Sequence, residues 1–458
     1  MNRLISSIVG FLFLFPLAVQ NASAQAPGDC QTRATNFEGW QAQDLSNAWV
    51  HVIIVPQLGG RVMQVQFGEH NYLFVNPRYK GQYIPPAEAG KSGPHWINYG
   101  GDKLWPLPEG EGDAEHWPGP ISDVLDDGEY KFSIVSENPK CAVRLEGPPD
   151  PATGLQFSRE IAINDRSPEI SFHAEIKNSS NHPIHWSVQS VTQYNTADAQ
   201  DPTRYNHDFW AFAPTNPHTA FIDSYYVRAG LADDPSFSVK DGWFTLHWLY
   251  LENEVWLDSD AGWIAIIDGA SQFGMVEKFH YAQSAEYPGR ASVIFYKNGA
   301  ALELDPGGMP RLRSSDPQHA PYYMEAELNS PMVRLEPGSS FTFDSEWYPV
   351  RSGKNLKSVN DAGIVETPLA ATPQPDGIKL TGKFSVFFPG RLFAYTRDTR
   401  SEERKVDLGL VDPLGIFELD KTIPAASDVV HIALHLIGGR GSDLGILSEA
   451  EISPPQKK

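Results

Sequence analysis

Two glutamates that stand two residues apart, Glu325 and Glu327, are the first residues whose spacing suggests chemistry. They lie in YMEAELN (Tyr323–Asn329), and on a β-strand they would share one face with their Cα atoms about 6.6 Å apart. In a dry cleft, repulsion between the two carboxylates would raise the pKa of one of them, as acid–base chemistry near neutral pH requires. On a face exposed to water they would be ordinary surface acids.

The stretch SGPHWINYGGDKLWPLPEGE (Ser92–Glu111) combines aromatic rings with glycines, prolines and charged residues. Its glycines do not follow a nucleotide-binding spacing, and its acids and histidine have no spacing that fixes a metal geometry. Aromatic rings stack on the C–H faces of sugars and polar side chains bind the hydroxyls, which makes a sugar platform the sharper hypothesis. The alternative is that its tryptophans only cover the end of a sandwich. The candidate sugar ligands in this stretch are His95, Trp96, Asn98, Tyr99, Asp102, Lys103 and Trp105.

Histidines supply fewer candidates. In PIHWSVQSVTQY (Pro183–Tyr194), His185 and Gln189 would share a strand face, where His185 is either a general base or a structural residue. His431 and His435 have the spacing of helical zinc ligands, but the alternation in VHIALHL indicates a strand with the two rings about 13 Å apart. We therefore predict no metal and no cofactor.

The elements that must position these residues are β-strands. Apolar and polar residues alternate with a period of two in most segments, and no long amphipathic helix is evident. We predict an all-β, largely antiparallel fold, a sandwich rather than a parallel sheet. The predicted strands are Val50–Val55, Arg61–Phe67, Tyr72–Val75, Leu155–Ile161, Ile170–Lys177, His185–Tyr194, Phe244–Tyr250, Trp263–Ile267, Ala291–Tyr296, Tyr322–Leu328 and Phe341–Tyr348.

Composition along the chain predicts two β domains. Residues 37–350 would form the large one and 377–452 a small C-terminal β-sandwich-like domain, separated by a linker rich in proline and polar residues at 351–376. The remaining segments are predicted to be a signal peptide at 1–24, a flexible mature N-terminus at 25–36 and a disordered tail at 453–458.

The leader predicts export. Arg3, an apolar run around FLFLF and the small residues Ala22-Ser23-Ala24 match a signal peptide cut after Ala24, with no membrane anchor left after cleavage. We expect a periplasmic or secreted protein. In an oxidising compartment Cys30 and Cys141 would form a disulfide, the alternative being two independent thiols.

The charge balance limits the partners. With 36 basic and 57 acidic residues the chain has a formal charge of −21, which repels nucleic acid and anionic lipid. A neutral ligand suits this field better. The twelve tryptophans make carbohydrate the first ligand class to test.

Five segments together resemble a bacterial family with the galactose mutarotase-like fold, similar in the order of its elements to aldose and hexose-phosphate epimerases. The resemblance covers roughly Phe37–Tyr348. It rests on VIIVPQLGGRVMQVQF (Val52–Phe67), HNYLFVNP (His70–Pro77), NYGGDKLWPLPEG (Asn98–Gly110), WPGP (Trp117–Pro120) and YYMEAELNSPMVRLEPGSSFTFDSEW (Tyr322–Trp347).

The resemblance implies a supersandwich of two large antiparallel sheets with a sugar site on the concave face. In catalytic relatives a carboxylate and a histidine exchange protons with the sugar, and Glu325 falls at the position of that carboxylate. Gln189 falls at the histidine position, and an amide cannot exchange a proton as imidazole does. The expected catalytic residues are therefore Glu325 with Lys103, His95 or His185 as its partner. The expected substrate ligands are Arg61, His95, Trp96, Asn98, Tyr99, Asp102, Trp105, Trp117, Gln189 and Glu327.

Three functions follow as alternatives. The first is a sugar epimerase or related carbohydrate-active enzyme that uses Glu325 as acid and base. The second is a non-catalytic glycan-binding protein, and the third a structural envelope protein in which the aromatic residues only seal the sandwich. In the first two the partner is a saccharide, and the sequence does not set the oligomeric state.

Overall fold

The computed structural model describes residues 29–88, 97–108, 123–304, 310–313, 322–426 and 428–452 of the chain. The candidate residues His95, Trp96 and Trp117 lie outside these ranges, as do the predicted signal peptide and tail. Within the described ranges, no helix is long and apolar enough to cross a membrane.

Strands make up nearly all of the regular structure, which confirms the predicted all-β class. The first twelve are β1 (Gln31–Phe37), β2 (Trp40–Ser46), β3 (Val50–Val55), β4 (Arg61–Phe67), β5 (His70–Asn71), β6 (Asp102–Leu107), β7 (Lys131–Ser136), β8 (Lys140–Glu146), β9 (Leu155–Asn164), β10 (Ile170–Asn178), β11 (Ile184–Asn195) and β12 (Phe209–Pro214). The next twelve are β13 (Tyr226–Gly230), β14 (Phe237–Lys240), β15 (Trp243–His247), β16 (Asn253–Leu257), β17 (Trp263–Asp268), β18 (Phe273–Phe279), β19 (Val293–Lys297), β20 (Ala301–Leu304), β21 (Pro310–Arg313), β22 (Tyr323–Asn329), β23 (Val333–Leu335) and β24 (Ser340–Arg351). A five-residue helix, α1, spans Asp123–Asp127, and 3-10 turns occupy Pro77–Tyr79, Pro86–Glu88 and Pro288–Arg290.

Two large antiparallel sheets form the N-terminal domain. The first has twelve strands, in the order β1-β2-β3-β4-β6-β11-β22-β19-β16-β13, with β5 beside β4 and β23 beside β11. The second has ten strands, in the order β14-β15-β12-β17-β18-β24-β10-β9-β8-β7. One apolar core contains residues of both sheets, so the sheets pack face to face as a sandwich.

Alternation decides which side of each strand enters this core. In β10, Ile170, Phe172, Ala174 and Ile176 are buried, while the residues between them are half-buried or exposed. Phe172 packs on Trp347 of β24 with ring centroids 4.5 Å apart. Burying side chains of this size contributes roughly 1.5–3 kcal/mol each, which is why a period of two in the sequence predicts these strands well.

The predicted flexible N-terminus is wrong from Gln31 onward. Strand β1 pairs along its whole length with β2, so residues 31–37 form the edge strand of the twelve-stranded sheet. Just before it, Cys30 is joined by a disulfide to Cys141 of β8 in the other sheet, across a separation of 111 residues. For a loop of this length the chain-entropy model gives a stabilisation of about 4–5 kcal/mol.

The C-terminal domain is a small sandwich of two four-stranded sheets around its own core. The first sheet has the order β25-β26-β27-β30 and the second β29-β28-β31-β32. The strands are β25 (Ser358–Val359), β26 (Gly363–Gln374), β27 (Gly377–Val386), β28 (Gly390–Asp398), β29 (Glu403–Val411), β30 (Ile416–Ile423), β31 (Val429–Gly438) and β32 (Asp443–Glu451).

The predicted linker at 351–376 is a second correction, because β25 and β26 occupy most of it. The prolines of this segment were interpreted as a sign of a linker. Pro368 is exposed and lies where the pairing of β26 with β27 shifts register. A residue without an N–H is tolerated at such an irregularity. The two domains also share apolar contacts, with Tyr348 stacked on Phe387 at 4.7 Å between ring centroids.

Candidate functional site

Three neighbouring strands of the twelve-stranded sheet, β6, β11 and β22, bring the polar candidates together. Val191 pairs with Lys103 on one side and Glu327 on the other, and Gln193 pairs with Glu325. Directly paired residues and residues two apart share a face, so these side chains all point to one side. The intervening residues of the same strands, Leu104, Val188, Met324, Ala326 and Leu328, belong to the core between the sheets. We call the opposite side, turned away from the second sheet, the outer face.

Glu325 is a buried carboxylate on the outer face, with 9% of its surface exposed. Gln193 donates its side-chain N–H to Glu325 Oε1 at 2.5 Å. Burial raises the pKa of Glu325 above its usual range, although the Lys103 charge and the Gln193 hydrogen bond oppose the shift. Such a carboxyl group is suited to exchanging protons closer to neutral pH.

Glu327 lies beside Glu325 and is held by Gln189, which donates its side-chain N–H to Glu327 Oε2. Gln189 therefore lies on the outer face, as the sequence predicts, but its amide supports a carboxylate. An amide can bind a sugar hydroxyl and cannot take up and return a proton.

Lys103 brings a buried cation to the same face. Its Nζ lies 3.2 Å from Asp126 Oδ1 and 3.6 Å from the ring centroid of Trp105. Burial lowers the pKa of Lys103, and the charges of Asp126 and Glu325 offset part of that shift. Lys103 and Glu325 are close enough for each to influence the pKa of the other.

Asp126 of α1 is a site residue that the sequence did not reveal. Its Oδ1 accepts hydrogen bonds from Trp105 Nε1 at 2.8 Å and from Arg61 Nη2 at 2.8 Å, besides the contact with Lys103. Burial alone would raise the pKa of Asp126, but the two cations outweigh it and hold the pKa below its ordinary value. The Asp126 carboxylate is thus charged and contacts both the Trp105 and the Lys103 side chains.

Arg61 was predicted as a substrate ligand, and the structure contradicts this. Its side chain is fully buried, with Nη2 also 3.2 Å from Asp127 Oδ1 and Nη1 donating to the carbonyl of Gly100 at 3.3 Å. Arg61 therefore holds α1 and the double-glycine turn in place. Burial and the neighbouring Asp126 raise the pKa of Asp127 to about 7.

The double glycine before β6 allows the chain to approach itself, rather than a ligand. Gly100 and Gly101 have φ values of +95° and +77°. A Cβ on Gly100 would lie 2.2 Å from the Phe74 carbonyl oxygen, and one on Gly101 would lie 2.5 Å from that of Val62. Only glycine fits both the conformation and the space.

Asp102 is also not a sugar ligand. It is adjacent to Lys103 on β6 and so points to the other side of the sheet, where it is fully buried. Arg159 of β9 donates to its two oxygens at 2.5 and 3.3 Å. The pair connects the two sheets directly beneath the site.

Two further candidates lie away from the outer-face cluster. Tyr99 is buried against Trp40 and Tyr79, and its hydroxyl accepts the backbone N–H of Ile84 at 2.9 Å. His185 is exposed near the beginning of β11, opposite Arg334 of β23. It lies four positions before Gln189, about 13 Å along the strand, and Glu325 lies farther along, opposite Gln193, so His185 cannot partner Glu325.

Asn98 remains close to the site. Its side-chain oxygen accepts the backbone N–H of Gly100 at 3.1 Å, and its side chain hydrogen-bonds Tyr323, which shares the outer face with Glu325. Tyr323 stacks on Phe74 with ring centroids 5.0 Å apart. Asn98 thus joins the glycine turn to β22.

Sequence reasoning missed a group of outer-face residues on β19 and β16, on the side of Glu325 away from β11. Tyr296 of β19 pairs directly with Glu325, and its hydroxyl donates to Glu252 at 3.3 Å. On β16, Trp256 Nε1 donates to Glu254 Oε1 at 2.5 Å. The alternation in VIFYK and NEVWL was the available signal, because it places Tyr296, Glu254 and Trp256 on the side away from the core.

The arrangement supports proton exchange and hydroxyl binding. It combines a carboxyl group with a raised pKa, an ammonium group with a lowered pKa, two side-chain amides, and the aromatic rings of Trp105 and Tyr296. No group of three histidine, cysteine or acidic side chains that could hold a metal ion is found in the part of the chain that the structure describes.

No protein family profile matches the sequence. Similar solved structures include a TPR-domain containing protein from Parabacteroides distasonis, at 15% identity and a TM-score of 0.45. That match covers 74% of this chain and 51% of the other, so this chain matches about half of that protein's length.

Galactose mutarotase-like proteins are also among the similar structures. One from Lactobacillus casei is 8% identical with a TM-score of 0.42, covering 67% of this chain and 99% of the other. One from Clostridium acetobutylicum is 10% identical with a TM-score of 0.40, covering 70% and 99%. The sequence motifs resemble the same group of proteins.

The assignment of Asp102 to the core leads to a first prediction. Asp102→Asn leaves the buried guanidinium of Arg159 without its counter-charge, and we expect the free energy of unfolding to fall by about 3–5 kcal/mol. Denaturant titration of the full chain measures this. The control is Asp407→Asn, which breaks an exposed pair with Arg391 and should change little. Unchanged stability together with lost sugar binding would instead make Asp102 a ligand.

Proposed function

We propose that the outer-face cleft binds a neutral saccharide and interconverts its anomers, with Glu325 as general base and Lys103 as general acid. The observation that carries this proposal is the pairing of Glu325 with Lys103, each of which shifts the pKa of the other. A buried carboxyl group with a raised pKa and a buried ammonium group with a lowered pKa lie on one face of the sheet, and the ammonium group lies over the Trp105 ring.

The chemistry needs two such groups. Opening the ring of a sugar breaks the bond between the anomeric carbon and the ring oxygen, while a proton leaves the anomeric hydroxyl and another reaches the ring oxygen. Glu325 as carboxylate accepts the first proton and Lys103 as ammonium donates the second. When the ring closes on the other face of the carbonyl, the two transfers reverse and both groups return to their starting state.

The remaining residues of the cleft have binding roles in this proposal. Gln193 and Gln189 orient the two carboxylates and present amide groups to hydroxyls. Trp105 offers a ring face to the sugar, and its indole is fixed by Asp126. We also propose that the protein acts after export, because the Cys30–Cys141 disulfide and the leader both suit an oxidising compartment.

Glu325→Gln tests the proposal most directly. The amide keeps the shape and a hydrogen bond to Gln193 but cannot accept a proton, so the acceleration of anomer exchange should fall at least about 100-fold. NMR of freshly dissolved α-glucose, α-galactose, α-mannose and α-xylose measures the exchange rate. Glu336→Gln, on the exposed loop after β23, is the matched control. Full activity of Glu325→Gln would contradict the proposal.

The pH dependence should be bell-shaped. Glu325 acts as a carboxylate, and because its pKa is raised, activity should fall with decreasing pH already above the ordinary glutamate value of about 4.3. Lys103 acts while protonated, and because its pKa is lowered, activity should fall with increasing pH below about 10.4. Arginine keeps the positive charge but does not release its proton in this range, so Lys103→Arg should lower the activity at every pH. A flat profile between about 4 and about 10 would exclude this pair.

A non-catalytic glycan-binding protein is the second candidate. It is favoured by the ion pair of Lys103 with Asp126 and by Gln189 at the position where a histidine was expected. In that case no sugar exchanges faster, while titration calorimetry over a glycan panel detects binding. Trp105→Ala should weaken this binding at least about fivefold and Trp105→Phe much less. Absence of both acceleration and binding would leave a structural role for the cleft.

A further inference from the structure

We propose that the cleft continues toward β13 as a row of aromatic side chains that binds further units of an oligosaccharide. The preferred ligand would then be the end of a neutral glycan chain rather than a free monosaccharide. This inference rests on the proposed sugar site around Glu325 and names the class of its substrate.

The register of the sheet supplies the row. Four paired residues cross the sheet from β22 to β13. Glu327 of β22 pairs with Ile294 of β19. Ile294 pairs in turn with Trp256 of β16, and Trp256 pairs with Tyr226 of β13. Directly paired residues share a face, so Trp256 and Tyr226 lie on the same outer face as the two glutamates. At about 4.8 Å for each strand, Tyr226 is about 14 Å from Glu327 across the sheet, farther than one sugar ring reaches.

The row is buried from Lys103 to Ile294, which is 2% exposed, and becomes accessible only beyond it. Lys103, at the β6 end, is 2% exposed and Glu327 is 7% exposed. Trp256 is half-buried, and Tyr226, on the edge strand, is 47% exposed. Among the described residues of the row Tyr226 is therefore the most exposed, and a longer ligand would extend in its direction.

The aromatic rings of the row are held in a fixed arrangement. Trp256 and Tyr226 meet edge to face with ring centroids 6.3 Å apart, and Phe221 stacks on Tyr226 at 6.0 Å. Gly289 packs so closely on the indole that a Cβ there would lie 1.9 Å from Trp256 Cζ3. Rigid rings of this kind bind the C–H faces of sugars at a low cost in conformational entropy.

Charge selects the type of glycan. Glu252 and Glu254 lie beside Tyr296 and Trp256 on this side of the cleft, next to Glu325 and Glu327. Carboxylates accept hydrogen bonds from sugar hydroxyls but repel uronates and sulfated sugars. The row therefore fits a neutral chain.

The test compares ligands of different length on the full chain. Calorimetry measures the affinity for the monosaccharide, trisaccharide and pentasaccharide of the β-1,4-linked glucose, mannose and galactose series and of the α-1,4-linked glucose series. In at least one series the trisaccharide should bind at least about fivefold more tightly than its monosaccharide. In Tyr226→Ala the ratio of these affinities should fall two- to tenfold, by about one lost stacking contact, whereas Tyr226→Phe should retain it. Tyr395→Ala, which removes a tyrosine of the C-terminal domain, is the control for the loss of a tyrosine away from the row.

The possible results separate this inference from the proposed function. Monosaccharide binding with no gain from chain length, or a gain that Tyr226→Ala leaves intact, would overturn the extended row and leave the Glu325 site standing. Tighter binding of oligogalacturonate than of every neutral series would overturn the neutral-chain assignment. Failure of every sugar to bind would overturn both proposals.

Discussion

The Asp126 carboxylate is the interaction on which the candidate site depends. One buried oxygen accepts from Arg61 on β4 and from Trp105 on β6, and it also meets the ammonium group of Lys103. A buried charge is costly unless it is paired and hydrogen-bonded, so these groups stabilise one another only as a set. Because Asp126 belongs to α1, the same contacts hold α1 against the outer face. The site is thus assembled from residues distant in sequence by a single shared counter-charge.

Beneath the site the sheet is polar on its inner side as well. Asp102 pairs with Arg159 across the sandwich, and nearby the Tyr194 hydroxyl donates to Glu277 at 2.6 Å. Burial raises the pKa of Glu277 to about 8, so this carboxyl group is held largely neutral at ordinary pH. These buried hydrogen bonds connect β6 and β11 to the second sheet. A rigid inner layer of this kind supports the spacing that proton transfer between outer-face groups requires.

The sequence predicted the strands and the same-face sets well, because a period of two is a local property. Glu325 and Glu327 were placed on one face of their strand correctly for that reason. The period does not tell which side of a strand meets the other sheet, so Asp102 was assigned to the ligand although its neighbour Lys103 occupies the outer face. Nor does it contain the register between distant strands, which is why Tyr296 and Trp256 were missed, or the position of α1, which is why Asp126 was missed. Tyr99 was predicted as a ligand and the double glycine was considered only for its spacing, yet all three residues serve contacts within the chain itself.

Lys103 decides whether the site can catalyse proton transfer or only bind a sugar. With an amide at Gln189, and with His185 about 13 Å along its strand, Lys103 is the cation of the described outer face that interacts with Glu325. The Asp126 charge that makes its burial tolerable also holds its proton more tightly, and burial acts in the opposite direction. A sugar that displaces water from the cleft strengthens both effects, since charges interact more strongly where the local dielectric is low. The distance between Lys103 and Asp126 therefore decides whether Lys103 gives up or keeps that proton when a sugar is bound. The ligand can change this distance only by competing for the ammonium group.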